Sequence, residues 1–265
     1  MKFCFSMLSI LFSLFSCGQQ PGSSLPPLAR YDSLGTGILQ LSFTEKVPLY
    51  AHAGDKKPFD TLVIRQKKDG SYAFLTNVLK NRFAPYRFFE GDTYEAGRRH
   101  INMGLVHFSP ELQFRVVEAT KTYFRVVINE KEKLTCFIHL QPGYALYNTM
   151  VQRDLHNSIP YNDKPTTTYN PHWYLYETWG NLLQRAAIVH VKPDMPLFEA
   201  PGSKRIPFPK REDNCDDCFK VGEVRGDWAQ LIDREDYNRK KKSYGWVKFH
   251  NGQTMNVSYV EFLYE

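Results

Sequence analysis

The sequence predicts a mainly β protein assembled from two related small units, and three observations carry that reading. Aromatic residues make up 15% of the chain, a composition that suits short half-buried strands better than a bundle of helices rich in Ala and Leu. Apolar and polar residues alternate over several runs of about four to eight, the period of a strand with one face in a core. The phrases that open and close the last third of the chain also recur, reworded and in the same order, in its first half, which is how a repeated unit shows itself. A hydrophobic content of 42% is enough for packed cores, and 265 residues accommodate one or two domains.

Residues 1–16 read as an export signal. Lys2 gives the basic start, Phe3 to Phe15 the apolar run and Ser16 the small residue at the junction. The run is shorter than the roughly 20 residues that a spanning helix needs. Leu14-Phe15-Ser16-Cys17 resembles the lipobox of bacterial lipoproteins, with Phe15 where a smaller residue is usual. The resemblance implies acylation of Cys17 and an address in the cell envelope, at the outer membrane facing the periplasm. Several acyl chains on one cysteine anchor stably where a single chain is marginal. Residues 17–37, starting Gly18-Gln19-Gln20-Pro21-Gly22-Ser23-Ser24, read as a flexible tether. Of the 34 Lys and Arg only Lys2 lies in the signal, so 33 face 28 Asp and Glu and the mature charge is +5. That mild charge, with its signs interspersed, argues against a nucleic-acid partner.

The first unit is placed at residues 38–140. Ile38, Leu39, Leu41 and Phe43 alternate and run into Val47-Pro48-Leu49-Tyr50, Gly54 and Lys56-Lys57. The second unit, residues 188–265, answers with Ile188-Val189-His190-Val191, Met195-Pro196-Leu197-Phe198, Gly202 and Lys204-Arg205. Phe114 to Glu118 and Tyr123 to Ile128 match Phe219 to Glu223 and Trp228 to Ile232, and Thr135-Cys136-Phe137-Ile138 stands where Tyr244-Gly245-Trp246-Val247 stands. The first unit carries an insertion at residues 69–109, whose Tyr72, Phe74, Phe83, Tyr86, Phe88, Phe89 and Tyr94 are too many for a bare loop. Further strands are expected there, with a hairpin at Glu90-Gly91-Asp92. Residues 141–187 read as a connection: a turn-rich stretch from Asn157 to Pro171, then a short helix over His172–Arg185 presenting Trp173, Tyr176, Trp179 and Leu183.

Within the second unit the order Gly226-Asp227-Trp228, Gly245-Trp246-Val247 and Tyr259-Val260 resembles SH3 and bacterial SH3-like (SH3b) domains. The resemblance implies two SH3-like small β-barrels. It also implies that Trp228 lines a ligand groove, with Tyr123 at the same place in the first unit and Trp246 close by, while Leu231 and Val247 point into the core. The competing expectation is that Trp228 packs in the core or between the units.

Cys215-Asp216-Asp217-Cys218 is the one C-x-x-C. Structural zinc needs four ligands and there is no second pair, so His190 or His250 would have to be recruited from afar. A thioredoxin-type dithiol needs a preceding strand and a following helix. In an oxidising envelope the expectation is a local disulfide between Cys215 and Cys218, without metal or cofactor. Cys136 and His139 stand three apart on an alternating strand, so they point to opposite faces, and Cys136 is expected to be a buried thiol. The basic run Arg239-Lys240-Lys241-Lys242, opposite the acidic stretch Asp233 to Asp236, reads as solvated charge. The function expected is a lipid-anchored envelope binding module with no catalytic residues, recognising peptidoglycan peptide or an envelope protein. Two alternatives stay open, a cell-wall hydrolase using Cys136 and a protective inhibitor of a wall enzyme.

Overall fold

A computed structural model of the chain describes residues 24–42, 46–99, 110–157, 169–192, 194–209, 217–233 and 242–261. The export signal, Cys17, Cys215 and the basic run at 239–241 lie outside the described residues. The protein is mainly β: among the described residues 44% are strand and 12% helix, in several sheets with no closed barrel. No helix among the described residues is long and apolar enough to cross a membrane.

The first half holds β1 (Gly37–Leu41), β2 (Lys46–Leu49), β3 (Asp60–Gln66), β4 (Tyr72–Leu75), β5 (Arg87–Phe89), helix α1 (Tyr94–Arg99), β6 (Glu111–Ala119), β7 (Tyr123–Asn129), β8 (Leu134–His139), β9 (Ala145–Tyr147), α2 (Met150–Asn157), β10 (Trp173–Thr178) and α3 (Trp179–Arg185). The second half holds β11 (Ile188–His190), β12 (Leu197–Phe198), β13 (Arg205–Ile206), β14 (Cys218–Arg225), β15 (Trp228–Ile232), β16 (Ser243–Lys248) and β17 (Ser258–Val260). One sheet runs β8-β7-β6-β1-β10-β9 with β5 beside β6, a second runs β13-β12-β16-β15-β14-β11-β17, and β2-β3-β4 form a third.

The two halves follow one path. The order β10-β1-β6-β7-β8 repeats as β17-β11-β14-β15-β16. Each copy carries a hairpin between the first two strands of its path, β2–β3 in one and β12–β13 in the other. Each hairpin also touches the last strand of its path at one antiparallel bridge, Tyr50↔Phe137 and Phe198↔Trp246. Even the register shifts correspond, after Val116 on β6 and after Val221 on β14. Gly245 shows why the second bridge needs a glycine. Its φ is +126°, and a Cβ there would lie 2.8 Å from the carbonyl oxygen of Phe198, so any side chain would push β12 off β16.

Two expectations are corrected. The helix expected from His172 starts only at Trp179, where the Thr178 side chain accepts from Asn181 N at 3.2 Å. The preceding Trp173–Thr178 is β10, because its aromatic and β-prone residues pair with the available edge of β1. Asn170 makes a local turn ahead of that strand, its Oδ1 accepting from His172 N at 2.9 Å. Ala145–Tyr147 and Trp173–Thr178, both in the stretch read as a connection, are therefore strands of the first sheet. In the insertion, Glu90-Gly91-Asp92 does not turn a hairpin. β5 pairs with β6, and the chain enters α1 because Thr93 Oγ1 accepts from Ala96 N at 3.0 Å.

β1 serves two cores, since alternate residues face opposite ways. Leu39 and Leu41 join Phe114, Phe124, Val126 and Ile138 in one. Ile38 joins Trp179, Leu182, Leu183, Phe219, Leu231 and Val247 in the other. Between them lies a buried ionic network. Arg185 Nη2 reaches Glu177 and Glu261 at 2.7 Å each. Gln113 Nε2 donates to Glu261 Oε1 at 3.2 Å, and Arg87 donates to the same carboxylate. Burial alone would lower the Arg185 pKa, but the two carboxylates outweigh it and the net shift is upward.

Candidate functional site

The turn from β14 to β15 passes through Gly226 at φ +57°, the left-handed conformation that glycine adopts without strain. Trp228 is thereby the first residue of β15. Ala229 and Leu231 are 1% and 0% exposed, whereas Trp228 and Gln230 stay half-buried on the other face. Trp228 lines a cleft of about 810 Å³. One side is the stretch Asp194 to Phe198 leading into β12, and the other is Thr254 to Ser258 leading into β17. The ring of Phe198 meets that of Trp228 edge-on, 4.9 Å between centroids, one of the favoured aromatic geometries. Lys248 stands opposite Trp228 across the strand pair and its Nζ lies 3.7 Å from Asp227. Asn256 holds the far side in place, its N donating to Phe249 O at 2.8 Å and its Nδ2 to Lys248 O at 3.0 Å. The lining thus combines a flat ring and the apolar Met195, Pro196 and Met255 with both signs of charge, Lys192 and Lys248 against Asp194 and Asp217.

Tyr123 occupies the same place on β7. It stands opposite His139 and leans edge-on against Phe137 at 5.4 Å. Its hydroxyl donates to Glu118 Oε1 at 2.8 Å, and that bond pushes its pKa up. Tyr50, the counterpart of Phe198, lies flat on His139 with ring centroids 3.9 Å apart and planes at 9°.

Trp246 departs from the expectation of a ligand surface. It is 4% exposed, flanked by Gln230 of β15 and Phe198 of β12, and the Arg225 guanidinium lies 4.9 Å from its ring centroid. Cys136 is 0% exposed and burial pushes its thiol well up. It faces inward with Ile138, whereas Phe137 and His139 are half-buried on the other face. No nucleophile-base contact forms between Cys136 and His139.

Cys218 is disulfide-bonded, to a partner outside the described residues. The register of β11 on β14 sets His190 opposite it. His190 Nδ1 lies 3.6 Å from Cys218 Sγ and 3.4 Å from Asp217 Oδ2. His250 is engaged elsewhere, with Asp227 at 3.2 Å. Sequence reasoning missed Met195, Phe198 and Met255 as cleft residues. The signal for the first two was present in Met195-Pro196-Leu197-Phe198, which reads there only as a repeated phrase. Comparisons with protein-family models, with curated proteins and with solved structures find no match to this chain.

Proposed function

We propose that the chain is a lipid-anchored binding module of the cell envelope, built on two SH3-like units, whose second unit holds an extended cell-wall or envelope-protein peptide in the cleft beside Trp228. The observation that carries the proposal is the half-buried Trp228 ring, on the outer face of a strand whose alternate residues are core. The cleft volume lies in the range of small-ligand sites, and an aromatic platform flanked by charge suits an extended peptide. The SH3-like reading is supported by the strand order β17-β11-β14-β15-β16 with a hairpin between its first two strands in sequence. The anchor rests on the lipobox-like run ending in Cys17. The buried Cys136 favours a binding role over hydrolysis.

The test is Trp228→Ala in the mature chain, assayed by pull-down on purified peptidoglycan fragments and on envelope extract. Binding is expected to fall at least about tenfold with the far-UV spectrum unchanged; binding that persists undiminished in the folded variant overturns the cleft. Cys17→Ser should release the protein from membranes, and a variant that stays membrane-bound overturns the anchor.

A further inference from the structure

We propose a second site in the second unit, a zinc-type divalent-cation site formed by His190, Asp217 and Cys218 that becomes available when the disulfide at Cys218 is reduced. The inference stands apart from the peptide-binding reading and rests on donor geometry. The three donors come from two paired strands: His190 ends β11, Cys218 opens β14 opposite it, and Val191 N donates to Asp217 O at 3.0 Å, keeping Asp217 beside His190. The separations are 3.6 Å from His190 Nδ1 to Cys218 Sγ, 3.4 Å from Nδ1 to Asp217 Oδ2, and 3.8 Å from Sγ to Asp217 Oδ1. A tetrahedral zinc ion with usual bond lengths requires edges of about 3.6 Å for nitrogen to sulfur, about 3.4 Å for nitrogen to oxygen and about 3.6 Å for sulfur to oxygen. His190 Nδ1 and Cys218 Sγ thus stand one edge of that tetrahedron apart. Asp217 presents a different oxygen to each of them, so its carboxylate turns to bring one oxygen to the third corner; with one atom from each residue the donors lie within 4.8 Å of one another. A set of one nitrogen, one oxygen and one sulfur suits a borderline-soft cation.

In the oxidised chain Cys218 offers a disulfide sulfur, whereas the metal ligand is a thiolate. A dithiol reductant supplies the two electrons. The S–S bond breaks, each sulfur takes a proton to become a thiol, and the reductant leaves as its own disulfide. On binding, the cation replaces the proton of Cys218, which passes to solvent, and takes the lone pair of neutral His190 at Nδ1. The cation has a way in, since the side chains of His190 and Asp217 are 33% and 45% exposed. Both also line the Trp228 cleft, so a bound cation adds positive charge to the wall of that cleft.

The test adds Co²⁺ alone to the mature chain, oxidised or reduced with a phosphine, and follows sulfur-to-cobalt charge-transfer absorption. One equivalent is expected in the reduced chain and none in the oxidised chain, with His190→Ala weakening uptake at least about tenfold. A Cys215→Ser variant, which removes the disulfide partner that the spacing predicts, should bind without reductant. Three results overturn the proposal: no charge-transfer band in the reduced chain, unchanged affinity in His190→Ala, or loss of the folded far-UV spectrum on reduction.

Discussion

The two units run the same strand path and differ in how they finish its outer face. In the second, Lys248 stands opposite Trp228, and Phe198 meets Trp228 only by its edge, which leaves a cleft beside the ring. In the first, His139 stands opposite Tyr123, and its flat imidazole takes Tyr50 face to face. A flexible cation in one and a planar ring in the other accompany edge-on packing in the second unit and face-to-face stacking in the first. A repeated fold does not imply a repeated site.

The sharpest way to break the pairing of the units is at the network that joins them. Arg185→Ala should cost about 3–5 kcal/mol, because it leaves Glu177, whose side chain is 1% exposed, without its counter-charge. Urea unfolding measures this, and a loss under about 1 kcal/mol would show that the network contributes little. A cost of the same order separates the two tryptophans of the second unit. Trp246→Ala should lose about 3–5 kcal/mol as a buried truncation, and Trp228→Ala about 2 kcal/mol or less because its ring is half-buried. Equal losses in thermal melts would return Trp228 to the core.

A smaller effect is set by pH. Burial raises the thiol of Cys136 above its ordinary value of 9.0 and pushes Tyr174 from 10.0 up to about 12. Both groups stay protonated in the folded chain after the unfolded chain has begun to ionise. Their contribution is therefore full at neutral pH and is lost as the pH climbs past about 9. The urea midpoint should fall between about pH 8 and about pH 11, and Cys136→Ala should flatten part of that fall; a flat wild-type profile contradicts the assignment. Least of all, Tyr50→Ala should cost about 1 kcal/mol of stacking beyond its buried area and leave binding at the second unit unchanged. If binding changes, the first unit shares the site.

The features legible in the sequence are local ones. Gly226-Asp227-Trp228 announced a turn and the strand after it, and the resemblance to SH3 domains implied that Leu231 and Val247 point inward, where both are 0% exposed. What stayed hidden depends on partners far along the chain. Nothing near Trp246 says that β12 will flank it, and nothing near Asn170 says that β1 has an edge to receive Trp173–Thr178. The approach of His190 to Cys218 follows from the pairing of strands 28 residues apart, a register that no short motif encodes.

Glu261 gives the junction a direction in time. Its carboxylate is the common acceptor for Arg185, Gln113 and Arg87, which precede it by 76, 148 and 174 residues. A chain that emerges or is threaded from its N-terminus presents all three donors long before their acceptor arrives. Contacts of such long span carry a large loop-closure cost and form late, so the first unit must hold its own sheet through β10 while the network waits. A chain halted short of residue 261 keeps Arg185 on Glu177 and Arg87 on Glu111 but lacks the one carboxylate that ties both arginines and Gln113 together, so docking of the two units is expected as the last folding event.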